Sequence, residues 1–144
     1  MYQELLRKIA EEKPSYRQEE LQWLLDHIGD PNPEIRDELV FTSLARGIQE
    51  ELFTQDQFHF IAEVVSSDGG LDKEIDKIGL STLERSFRAL IYANLLSADG
   101  NEHSLFYKGL KTDIRNAMLS QGLYYLKKEK DTTGFSSQYG WVHA

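Results

Sequence analysis

The chain has 144 residues, a formal net charge of −8, 40% apolar residues and no cysteine. A chain of this length suits one domain and buries roughly 70% of its unfolded surface, so a packed core is expected and general disorder is not. The negative charge disfavours phosphate backbones, and the missing cysteines exclude disulfides, thiolate catalysis and Cys-type zinc sites.

Residues Tyr2 to Lys13 are charged and amphipathic, with no signal-peptide pattern and no membrane-spanning run anywhere. A soluble cytoplasmic protein is expected, with neither membrane nor nucleic acid as partner. The dense basic group Lys127, Lys128 and Lys130 reads as cations complementing a helix C-terminus. Only three prolines interrupt the chain, which leaves long segments for helices.

Apolar residues recur at helical spacing almost throughout. Tyr2, Leu5, Leu6 and Ile9 form the first stripe, which stops near Lys13 and Pro14. Ser15 offers an N-cap for a second helix with Leu21, Leu24, Leu25 and Ile28 on one face and Gly29 as its C-cap. Asn32 is the N-cap of a third helix, with Pro33 at its first position and a wide apolar face from Ile35 to Ile48. Thr54 to Gln57 is a capping box that opens a fourth helix along Phe58, Ile61, Ala62 and Val65.

The pattern fails from Ser66 to Leu80, a polar and mostly acidic stretch. It reads as a long loop with room for one short helical turn, either a functional or mobile segment or a longer repeat connection. Ser81 to Glu84 is a second capping box. Leu83, Phe87, Leu90, Ile91 and Leu95 then make the most apolar helix, which places it centrally. Ala98 to Asn101 ends it. After a short aromatic stretch at Leu105 to Tyr107, a last helix runs from near Thr112 to Lys130, lined by Ile114, Met118, Leu119, Leu123, Tyr125 and Leu126. Gly122 inside it costs about 1 kcal/mol; close approach of a neighbouring helix and a tolerated surface glycine both explain it.

No segment alternates with period two. The fold class expected is all-α, with antiparallel helix pairs stacked as a HEAT-like or armadillo-like helical repeat in a single domain, 1–144.

The run D-P-N-P-E-I-R-D from Asp30 to Asp37 resembles the start of HEAT-type repeats. A longer resemblance is carried by I-G-D-P-N-P-E-I-R-D-E-L at Ile28 to Leu39, R-S-F-R-A-L at Arg85 to Leu90, Y-L-K-K-E-K-D-T-T-G-F at Tyr125 to Phe135 and G-W-V-H-A at Gly140 to Ala144. On these blocks the chain is similar to an uncharacterised bacterial family, a domain of unknown function common in Gram-positive bacteria. The resemblance implies an all-α, HEAT-like fold and no established activity. In that family further helices and a second His follow G-W-x-H-A. This chain stops at Ala144, so either the N-terminal part of a longer protein or a short member is expected, with an apolar face left open to self-association.

Two constellations are candidates for function. Arg85, Arg88 and Tyr92 lie on one helical face, and a groove holding several guanidinium groups takes a carboxylate or phosphate bidentately. Arg36, with Asp37 beside it, is instead read as a residue that fixes the stacking of repeats. Tyr139, Trp141 and His143 alternate in a polar loop, where an imidazole beside aromatic surface suits acid–base work; the plain alternative is Trp141 anchoring the loop with His143 incidental. Asp99, Asn101 and His103 lack the glycine and the acidic twelfth residue of an EF-hand. No metal and no cofactor is expected. The leading reading is a protein or peptide interaction module with a concave helical surface, with homodimerisation open. The other is an enzyme or small-molecule binder whose site is completed by further C-terminal helices.

Overall fold

A computed structural model describes residues 1–67, 70–72, 74–75 and 80–128. Among the described residues the chain is all-helical and contains no strand. In order, it forms α1 (Tyr2–Ile9), α2 (Gln18–Asp26), a π-helix (Glu34–Phe41), α3 (Thr42–Gln49), α4 (Gln55–Ser66), a 3-10 turn (Gly70–Asp72), α5 (Leu80–Gly100) and α6 (Thr112–Lys128). No helix among them is long and apolar enough to cross a membrane.

The π-helix touches α1, and α3 touches α5; α4 touches both α2 and α6. The stripes expected from periodicity face inward. Leu5, Leu21, Leu24, Leu39, Leu44, Phe58, Ile61, Leu83, Ile91 and Met118 share one core. Phe58 and Phe106 stack at 4.4 Å between ring centroids, which ties the stretch before α6 to α4.

Several ends differ from expectation. The cap of α2 is Arg17 rather than Ser15, and its backbone N–H donates to the Glu20 carboxylate at 2.7 Å. Lys8 reaches the same carboxylate at 2.6 Å. Burial works against that buried charge, yet Lys8 and the Arg17 amide hold its pKa below the usual value. Helix α2 stops at Asp26, so Gly29 is not its C-cap. A Cβ on Gly29 would stand 2.6 Å from the Glu84 Cβ, so this glycine admits the first turns of α5. Helix α5 begins at Leu80, which puts the Ser81 cap position inside it. The Thr54 capping box forms as read, with Thr54 Oγ1 accepting from Gln57 N at 3.1 Å.

The third helix opens as a π-helix. Its N-cap is Pro33 rather than Asn32, although Asn32 Oδ1 still accepts from Glu34 N at 3.0 Å. Arg36, Leu39 and Val40 face the inside, and Thr42 Oγ1 donates to the carbonyl of Asp37, five residues back, at 3.1 Å.

Candidate interaction surfaces

The row Arg85, Arg88 and Tyr92 lies on α5, where it binds backbone of the segment that precedes the helix. Arg88 donates to Val65 O at 2.9 Å and to Glu84 Oε1 at 2.8 Å. Arg85, 1% exposed, donates to Glu74 O and to Thr82 Oγ1. The Tyr92 hydroxyl bonds Val65 O at 3.0 Å and accepts from Leu71 N at 3.2 Å, while Gln121 Oε1 of α6 accepts from the same amide. Burial pushes the Tyr92 phenol up to about 12. These groups hold the 3-10 turn against α5 and α6. Gly70, at φ +52°, completes the contact, because a Cβ there would lie 2.2 Å from Gln121 Oε1.

Asp72 ends that turn with Oδ1 buried and without a hydrogen-bond partner among the described residues. Burial pushes its carboxyl up to about 6, against the opposing pull of Arg85.

Arg36 stands apart from the row. It is 3% exposed, donates to Asp37 Oδ1 at 2.6 Å, and places its guanidinium 5.0 Å from the Phe87 ring centre. The start of the third helix thus meets α5 through a cation–π contact. Tyr139, Trp141 and His143 lie outside the described residues. Asp99 and Asn101 hold the α5–α6 connection together. Asp99 pairs with Arg115 at 2.7 Å and accepts from Leu110 N at 2.9 Å, and Asn101 accepts from His103 N at 3.0 Å. Among the described residues no three His or acidic side chains gather as metal ligands.

The open apolar surface lies between α5 and α6. Leu119, Leu123 and Leu126 are 55%, 56% and 59% exposed. Their spacings of four and three put them on one side of α6, away from buried Met118 and Tyr125. Facing them across a cavity of about 330 Å³ are Ala89, Ala93 and Leu96 of α5. Gly122 sits among the leucines, and a Cβ there would meet nothing within 4 Å. It is therefore a surface glycine of the cavity lining.

Residues 77–144 are similar to the family DUF2785, described as a protein of unknown function. The DUF2785 match spans α5, α6 and the G-W-V-H-A block together. It takes in the apolar cavity walls, and Arg36 and Asp37 lie before it. No curated protein and no solved structure matches the chain.

Sequence reasoning placed Leu119, Leu123 and Leu126 in the lining of the last helix without separating the side that is buried from the side that is open. The signal was available. Apolar residues cover α6 on more than one face from Met118 onward, and such a helix needs cover on more than one side.

Proposed function

We propose that the chain is a protein-interaction module, a HEAT-like stack of three helix pairs forming one domain over 1–144, whose α5–α6 face takes an amphipathic helix of a partner polypeptide. The repeat reading is supported by like helices touching like: the first helices of successive pairs form one row and the second helices the other. In such an array each pair covers its neighbour, and an end that needs no neighbour is polar.

The observation that carries the docking reading is the exposed leucine row of α6 facing two alanines of α5. Small residues on one wall let a helix backbone approach, and a leucine ridge on the other offers about 1.5–3 kcal/mol for each side chain fully covered. The enzyme reading needs Arg88 and Tyr92 at liberty to meet a ligand. Both are engaged in internal bonds, which supports the interaction reading over it.

The test is a titration of a labelled amphipathic helical peptide, with leucines spaced four and three and lysines elsewhere, followed by fluorescence anisotropy. Micromolar binding is expected, falling at least about tenfold in the double variant Leu119→Glu/Leu123→Glu. The two new carboxylates would strengthen any purely ionic attraction of the lysines, so a loss reports the apolar contact. Equal or tighter binding by the double variant overturns the proposal. Sedimentation velocity of the chain alone separates a partner helix from a second copy on the same face.

A further inference from the structure

A second cleft opens on a different part of the fold, between the end of α3, the last turns of α5 and the connection to α6. It holds about 250 Å³. Its polar lining is Gln49, Glu51, Asn94, Ser97, Asn101 and Ser104, with the buried Ile48 and Ala98 beneath.

The hydrogen-bonding capacity left in this lining is mixed. Gln49 donates to Asn94 Oδ1, and Asn94 Nδ2 donates to Leu90 O at 3.0 Å. These two bonds orient both amides and still leave each NH₂ one proton, and Gln49 its carbonyl oxygen. Asn101 spends its oxygen on His103 N and keeps its NH₂. Ser104 accepts from Phe106 N at 3.0 Å and keeps its proton. Glu51 accepts from Leu105 N through Oε1 at 3.0 Å, which leaves Oε2 to face a ligand.

Glu51 is also strained. It follows the C-cap of α3 with φ +58°, a left-handed conformation that glycine adopts far more readily than a residue with a Cβ. The carboxylate at the rim of the cleft is thus carried on a backbone position better suited to a residue with no side chain.

We infer that this cleft binds an extended peptide segment, reading its main-chain amides with Gln49, Asn94 and Asn101 and a lysine or arginine side chain with Glu51. A carboxamide offers the donor–acceptor pair that a peptide unit complements. With no cation in the lining and one carboxylate, an anionic ligand is opposed and a cationic one favoured, in keeping with the charge of −8. No aromatic ring lines the cleft, so a sugar finds no face to stack on. The volume suits two or three residues of the bound segment. The site is independent of the α5–α6 leucine face.

The experiment is an ¹⁵N-detected titration that follows the side-chain amide signals of Gln49, Asn94 and Asn101. The probe is the blocked tetrapeptide acetyl-Ala-Lys-Ala-Ser-amide; acetyl-Ala-Glu-Ala-Ser-amide and glucose are the controls. The lysine peptide is expected to shift all three amides with millimolar affinity. Glu51→Gln, which keeps the acceptor for Leu105 N, weakens it about tenfold, and Ser97→Phe, at an exposed position, blocks it. An unresponsive set of amides, equal binding of the acidic peptide, or a matching response to glucose overturns the inference. The Leu119→Glu/Leu123→Glu variant leaves this titration unchanged, so failure here and failure at the leucine face are read separately.

Discussion

Replacing Asp72 with Asn should stabilise the protein at neutral pH and do nothing at low pH. The Asp72 carboxyl is raised from 3.8 to about 6, first by burial, with Arg85 pulling the other way. A shift of about 2 units corresponds to about 3 kcal/mol at 1.36 kcal/mol per unit. The side chain is only partly enclosed, and solvent screening cuts this to about 1–2 kcal/mol. The sign follows from proton binding. Between 3.8 and 6 the folded state holds a proton that the unfolded chain has released, so stability from this group is full below 3.8 and is lost as pH rises through 6. Asn carries no charge at any pH. Thermal melts followed by circular dichroism from pH 4 to 7.5 give the difference between Asp72→Asn and the parent. It should grow from near zero at pH 4 to about 1–2 kcal/mol at pH 7.5, or roughly 3–6 °C in melting temperature. A difference that is constant with pH, or larger at pH 4, refutes the reasoning.

Two further expectations concern the same helices. Tyr92→Phe removes a buried hydroxyl from Val65 O and Leu71 N; a loss of about 1–3 kcal/mol is expected in urea denaturation, with faster hydrogen exchange at the Leu71 amide. Asp99→Asn should show the opposite pH trend to Asp72→Asn. The Arg115 guanidinium holds the Asp99 carboxyl below its ordinary 3.8, so its contribution is present above 3.8 and lost as pH falls through the depressed value. Its replacement should cost about 1–2 kcal/mol at pH 7, and the cost should shrink in melts below pH 4.

The helices were legible because burial writes a period into the sequence, and the capping box at Thr54 was legible because its two partners sit three residues apart. What escaped depends on residues distant in the chain. Arg88 looks like a ligand-binding residue on a helical wheel, yet its partner is the carbonyl of Val65, 23 residues earlier, and a carbonyl leaves no mark on the residue that carries it. Gly29 has the composition of a helix end, but Glu84 explains it. The polar cleft left one faint trace, Asn94, an amide between the apolar residues Tyr92, Ala93, Leu95 and Leu96 of α5. Its neighbours Gln49 and Asn101 read as ordinary solvent-facing residues until α3 and α5 are set side by side. For the leucine face, periodicity gave the residues and only packing showed which side of α6 the core had used.

The π-helix carries a consequence for how this protein can change its length. Eight residues from Glu34 to Phe41, wound at about 4.4 per turn, sweep about 1.8 turns; seven residues in α-helical winding sweep about 1.9. A gene that lost one codon between these positions would tighten the winding and still deliver Leu44 and Ile48 to the core at nearly their present azimuth. The same deletion in α4 or α5 would rotate everything downstream by about 100°. A one-residue deletion is therefore expected to be tolerated best in the segment that also seats Arg36 over Phe87.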